Sequence, residues 1–333
     1  MNFMRRKISQ IFFVSLWSVL VCAQAYGVDG AVLNIEKLLR AHKQEDAKRQ
    51  IAQYIANHEN AVGYMQIGSL YARLRQWPDA VHYLDIATTR DQKNALAWYE
   101  LGIAQHQNSQ IDEAVASFRK SLGISSTTLK TIFALGEVLE LSDDRYDARY
   151  VYSTALSKLK NRADLRAKVC SLYFQDAFYK QAIIDCGKAI KQNPKDMVSQ
   201  GLLAQSYYEL QERKKAMDIL RAALKKNPDA AFLYRVRGLI YFREKSYELA
   251  IYDLGKAFGL NGQDDESAIA LARSYYESAR FVDAKPLYLE ACRLNPAYRA
   301  EFLAKQRDLT NKHRDSLADE YQADLDKVYP RED

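Results

Sequence analysis

Chemistry in a protein starts from histidines, cysteines and carboxylates held at set spacings, and here those spacings do not assemble a reaction centre. The five histidines are His42, His58, His82, His106 and His313. No two stand four residues apart, so the arrangement that puts two imidazoles on one helix face around zinc is missing. His313, Arg314 and Asp315 spell the tripeptide of a phosphoryl-transfer catalytic loop, in which the Asp takes the proton of the attacking hydroxyl. No glycine-rich loop or Asp-Phe-Gly accompanies it, and it sits in a charged C-terminal stretch. A Gly-x-Ser-x-Gly elbow, a phosphate-binding loop and a dinucleotide fingerprint are also missing from the sequence. The expectation is a protein that is not an enzyme and has no cofactor and no metal.

The elements that would position any site come in two kinds. The first 25 residues form a segment of their own: Arg5, Arg6 and Lys7, then an uncharged run from Ile8 to Val21, then Ala23-Gln24-Ala25. Basic start, apolar run and small residues at the −3 and −1 positions of a cleavage site read as a secretory signal peptide. A second cleavage position would follow Gly27. The alternative is a membrane anchor through residues 8–25, although the run is short for a spanning helix of ~20 residues. Val21 before Cys22 is too bulky for a lipoprotein cleavage motif. The expected location is therefore the periplasm or the exterior. Without residues 1–25 the 48 basic and 42 acidic residues become 45 against 42. So nearly neutral a chain carries no electrostatic footprint for nucleic acid.

The rest is periodic. Ala80, Ala114, Ala148, Ala182, Ala216, Ala250 and Ala284 recur every 34 residues without a slip. Seven residues after each stands another small residue: Ala87, Ser121, Ala155, Ala189, Ala223, Ala257 or Ala291. Twelve before stands a third: Gly68, Gly102, Gly136, Cys170, Ala204, Gly238 or Ala272. Two antiparallel helices approach closely where facing side chains are small, and large residues must fill the flanks. Tyr71, Tyr173, Tyr207, Tyr241 and Tyr275 suit the first helix; Leu84, Phe118, Tyr152, Leu220 and Leu254 suit the second. The residue before the first-helix small position is apolar in six repeats, and Arg237 is the exception. Asn193-Pro194, Asn227-Pro228 and Asn295-Pro296 end three units, since Pro cannot continue a helix.

This pattern resembles the tetratricopeptide repeat, with period 34 and W-x2-L-G-x2-Y…A-x3-F…P. Tyr64-x2-Ile67-Gly68-x2-Tyr71 matches its first half. Trp98-x2-Leu101-Gly102 with Ala114-x3-Phe118 spans a whole unit, with Gln105 in place of the Tyr. The resemblance covers residues 61–298 as seven repeats and implies an all-α, right-handed solenoid of antiparallel helix pairs. Residues 26–60, with Ala47 and Ile51 one residue out of phase, read as an N-terminal capping hairpin or degenerate repeat. Residues 299–333, with Phe302, Leu309, Leu317, Tyr321, Leu325 and Val328 at helical spacing, read as a C-terminal capping helix and tail.

The resemblance also places sites. Family geometry has the first helices line a concave groove that holds a protein or peptide. Tyr99, Phe133, Phe174, Tyr208, Phe242 and Tyr276 are expected to face it, either as an aromatic binding stripe or as packing between repeats. The carboxylate clamp of one chaperone-binding subclass would need Lys and Asn at Met65, Ser69, Glu100, Lys130 and Ala134, where only Lys130 fits. In such hairpins Cys170 and Cys186 face one another, either as a disulfide or as two buried thiols; Cys292 takes a packing position. The implied function is an exported scaffold or adaptor for a cell-envelope assembly (secretion, pilus, outer membrane or polysaccharide export), membrane-proximal at most. The alternative is a glycan- or small-ligand-binding module serving a partner enzyme.

Overall fold

The computed structural model describes residues 29–311 and Asp319. The proposed signal segment, and Leu317, Tyr321, Leu325 and Val328, lie outside the described residues. What is described is all helix and turn, without a strand.

A short hairpin comes first, α1 (Gly30–Arg40) and α2 (Gln44–Asn57). Three further hairpins follow: α3 (Ala61–Arg73) with α4 (Trp77–Arg90), α5 (Ala95–Gln107) with α6 (Ile111–Ile124), and α7 (Leu129–Leu141) with α8 (Arg145–Lys158). Four more begin with α9 (Ala163–Gln175) and α10 (Tyr179–Gln192), then α11 (Met197–Glu209) and α12 (Arg213–Lys226). α13 (Ala231–Arg243) with α14 (Tyr247–Leu260) and α15 (Asp265–Glu277) with α16 (Phe281–Leu294) complete them. A 3-10 turn, Pro296–Tyr298, leads into α17 (Arg299–Asn311). From α3 to α16 every first helix has 13 residues and every second helix 14.

The spacing of small residues explains the pairing. The seven alanines at period 34 have no exposed surface, and neither do Leu84, Phe118, Tyr152, Cys186, Leu220, Leu254 and Tyr288 four residues further on. These large side chains lie against the first-helix small position. A Cβ added to Gly136 would stand 2.2 Å from Tyr152, and one on Gly102 2.7 Å from Phe118. Size is therefore complementary across each hairpin, which is why it recurs while identity drifts.

The turn inside each hairpin has a fixed form that the sequence hides. Arg75, Ser109, Asp143, Ala177, Gln211, Lys245 and Ala279, again 34 apart, all have φ between 58° and 64°. Each closes a Schellman motif; the Gln76 N–H, for example, donates to the Tyr71 carbonyl at 3.0 Å. Glycine is the usual occupant of such a position, and none of the seven is glycine.

The contacts divide the chain at Asn161–Arg162 into two compact units. In the first unit, Val32, Ile35 and Leu39 of α1 join Ile51 and Tyr54 of α2 in one core with Ile67, Leu70 and Leu84. The α1–α2 hairpin runs one residue short of the period, so Ala47 is fully buried where the phase of the array would put residue 46. In the second unit, α17 packs onto the last hairpin: Phe302 is 1% exposed and its ring stacks on Tyr288 at 5.6 Å. The turn before Arg162 differs from its counterparts. Leu159 stands where they carry Asp91, Ser125, Asn193, Asn227, Asn261 or Asn295, and Asn161 takes a φ of 63°.

Candidate functional site

Within each unit successive first helices come into contact (α3 with α5 and α5 with α7; α9 with α11, α11 with α13 and α13 with α15), and successive second helices do not approach as closely. The first helices thus line the inner side of the curvature, and side chains of that face are the natural site for an extended ligand.

In the first unit Tyr99 and Phe133 share one register position. Tyr99 is 4% exposed, held against Phe118 at 6.0 Å, with the Lys130 ammonium 4.5 Å from its ring centroid. Phe133 is half-buried against Tyr152 at 5.9 Å. The Tyr152 hydroxyl donates to Glu140 at 2.9 Å, and burial beside that carboxylate pushes the phenol far above its usual range. His106 occupies the register position that holds the aromatic row in the second unit. Its Nδ1 is buried without a hydrogen-bond partner among the described residues, and burial lowers its pKa, so the imidazole is neutral at pH 7.

In the second unit the row is Phe174, Tyr208, Phe242 and Tyr276. Phe174, Tyr208 and Phe242 are half-buried. Two of them rest on an aromatic five residues on, at the start of the second helix: Phe174 on Tyr179 at 5.7 Å and Phe242 on Tyr247 at 5.9 Å. Each ring is thereby fixed in orientation by its own hairpin while part of its surface stays open. Tyr208 meets Arg213 at that place and is instead covered by the Arg243 guanidinium, 4.8 Å from its centroid. Arg243 is in turn held by both oxygens of Glu209. Tyr276 leaves the open row. It is 5% exposed, packs on Phe281 at 5.0 Å, and its hydroxyl donates to Asp308 and to the Lys305 carbonyl of α17. Of the six aromatics, then, Tyr99 and Tyr276 are enclosed by the chain itself, and four present surface.

The sequence reading missed Arg243 and Lys305, the cations laid over Tyr208 and Tyr276. The signal was available: Glu209, Arg243 and Glu277 alternate in charge at spacing 34, and Lys305 bonds Glu277 at 3.0 Å. Of the clamp positions, Met65 and Glu100 are each 4% exposed, so neither offers a head group to a ligand.

Cys170 and Cys186 are joined, with Cα atoms 5.1 Å apart. They occupy the places where other hairpins put a small residue against a large one, so two medium side chains share that volume. Cys292 is a buried thiol pushed by burial up to about 11. Among the described residues no cluster of three or more His, Cys, Asp or Glu could hold a metal ion, and no helix is long and apolar enough to cross a membrane. A cavity of about 310 Å³ lies in the first unit among α6, α7 and α8, lined by Leu122, Ile132, Leu135, Tyr150 and Val151; it does not coincide with the aromatic row.

The tetratricopeptide repeat family model matches residues 65–127 and 202–264, one stretch in each unit. With seven hairpins at period 34, the chain is a tetratricopeptide repeat protein, and its class is the protein–protein interaction scaffold. No curated protein matches it in sequence. Among solved structures, a tetratricopeptide repeat protein from Parabacteroides merdae is similar over 71% of this chain and 93% of its own, at 16% identity and TM-score 0.58. MamA is 20% identical, over 52% of this chain and 95% of its own, with TM-score 0.47. YrrB, described as a TPR protein with an unusual peptide-binding site, is 16% identical over 56% and 97%, with TM-score 0.44. At these identities the likeness is one of fold.

Proposed function

We propose that this protein is an exported adaptor that holds an extended, partly apolar segment of a protein partner along its first helices, in the assembly of a cell-envelope complex. The observation that carries the reading is the row Phe174, Tyr208 and Phe242. These rings are half-open, orientationally fixed by their own hairpins or by an ion-paired Arg, and set on the inner side of one unit. Rigid aromatic surface gives contact area at low entropic cost, and one ring in each of three successive hairpins offers repeated contacts to an extended chain. Replacing Tyr208 and Phe242 with Ala tests it. Weakened partner binding with unchanged melting is the expected result; unchanged binding would refute the row.

Export is supported by the character of residues 1–25 and, independently, by the pairing of Cys170 with Cys186, since disulfides persist in oxidising compartments. Fractionation of cells expressing the chain with and without residues 2–25, followed by thiol trapping, tests both. The adaptor reading expects the intact chain outside the cytoplasm with Cys170 and Cys186 resistant to alkylation until reduced. Free thiols in the exported protein would remove this support.

A further inference from the structure

The second helices of two neighbouring hairpins carry a surface that partner binding on the first helices does not use. On α10 and the turn after it stand Lys180, Lys188, Lys191 and Lys195; on α12 stand Lys214, Lys225 and Lys226. All seven are exposed, and none makes an ion pair among the described residues. Seven unpaired cations exceed the formal charge of residues 26–333, 45 basic against 42 acidic or +3, so the remainder of that chain is net negative and the positive charge is concentrated here. The nearby carboxylates are largely committed: Asp185 to Arg166, although its charge also acts on Lys188, Asp218 to Arg221 and Glu212 to Lys215. Asp229, in the turn after α12, and Asp218 on that helix are exposed acids of this face.

The spacing makes the charges one surface. Lys180, Ile184, Lys188 and Lys191 fall on one stripe of α10 at helical intervals, over ~17 Å at 1.5 Å per residue. Lys214 and Lys225 repeat Lys180 and Lys191 one period later on α12. The next hairpin carries Glu248 and Gly259 at those places, so the stripe ends. Between the cations the ground is low: Gly187 and Ala222 are exposed, and Ile184, 54% exposed, stands between Lys180 and Lys188.

We propose that this face docks on an anionic lipid surface. Three features favour lipid over an acidic protein. The free cations are all lysines, compact point charges that ask no fixed geometry of their partner, whereas Arg213 and Arg221, which form directional pairs, are already bonded to Glu244 and Asp218. The charges spread over two parallel helices on the outer side of the curvature, where a plane makes contact. An exposed Ile among lysines gives the apolar foothold of an interfacial surface.

The test is co-sedimentation of the chain from residue 26, which retains every described helix, with vesicles of equal parts phosphatidylglycerol and phosphatidylcholine or of phosphatidylcholine alone. Binding is expected only with the anionic vesicles and is expected to fall with added salt. Each lysine removed should weaken it roughly fivefold. The variant K180Q/K188Q/K191Q/K225Q is therefore expected to lose two to three orders of magnitude, with its far-UV spectrum unchanged. The corresponding Lys→Arg variant should bind as the parent does. Y208A/F242A should also bind vesicles normally, which separates failure here from failure of the partner-binding row. Absence of anionic-vesicle binding at low salt, or equal binding by the Gln variant, overturns the proposal. So does retention on immobilised polyglutamate with vesicles left free, which would assign the face to an acidic protein.

Discussion

Arg237 occupies a place that is apolar in the other six repeats, and the structure gives the reason it is tolerated. Its guanidinium makes two hydrogen bonds to Asp253, at 2.6 and 2.7 Å; Asp253 is 1% exposed and the Arg237 side chain 17%. Removing one partner of such a pair leaves an uncompensated charge and costs about 3–5 kcal/mol. Asp253→Ala should fall near the lower end, about 3 kcal/mol, because Arg237 keeps some access to water. Arg237→Leu should fall near the upper end, about 5 kcal/mol at pH 7, because Asp253 has almost none. The double variant Arg237→Leu/Asp253→Val recreates the residues at the same register of the α7–α8 hairpin, Leu135 and Val151. It should lie between roughly neutral and a few kcal/mol more stable than the parent. Urea unfolding followed by far-UV circular dichroism gives the cycle, with hydrogen exchange to localise it, since repeat arrays can open in parts. Single variants that each cost under about 1 kcal/mol, or a double variant as weak as the sum of the singles, would refute the reasoning.

Three further outcomes follow from the packing. Gly136→Ala places a Cβ 2.2 Å from the buried Tyr152 ring and should cost about 1–2 kcal/mol, since overpacking exceeds the helix-propensity gain. Gly123→Ala, with nothing within 4 Å, should gain about 0.5–1 kcal/mol; the opposite order of the two in thermal unfolding would contradict the close-approach account. Ala279 carries a Cβ at φ 61°, so Ala279→Gly should stabilise by about 0.5–1 kcal/mol, the relief of left-handed strain less the added freedom of the unfolded chain; a lowered melting temperature would argue against it. Burial raises Tyr71 and Tyr298 to about 12 and Cys292 to about 11, from ordinary values of 10.0 and 9.0. The folded state thus prefers the neutral forms: their contribution is complete below pH 9 and is lost as pH rises through 11 and 12. A urea midpoint that stayed level from pH 8 to 11.5 would contradict this.

The helix pairs were legible because close approach demands small residues, and Gly68, Ala80 and Ala87 with their counterparts announce that demand at a fixed period. The turn inside each hairpin was not legible. Its left-handed residue is Arg, Ser, Asp, Ala, Gln, Lys or Ala, so backbone hydrogen bonding to the preceding helix imposes the conformation that side-chain identity fails to signal. The aromatic row was read as a set of six because register alone cannot say what lies above a ring. Tyr276 is enclosed by α17, whose Phe302 was visible but whose docking partner was not. Tyr99 is enclosed by Phe118 across its own hairpin and by Lys130 of the next, and the second contact depends on how one hairpin tilts on the next. Arg237 stood out as an exception, yet its partner sixteen residues away emerges only when the second helix is laid against the first.

The central claim is that a protein segment binds along the first helices of the second unit. Site-specific photo-crosslinking measures this directly, with a photoreactive phenylalanine at Tyr208 or Phe242 and, for comparison, at Tyr252, 63% exposed on a second helix. The account predicts a discrete protein adduct from positions 208 and 242, reduced by an excess of unlabelled protein, and none from 252. Adducts from 252 alone, or none from 208 and 242 in cells where the protein is active, would contradict it.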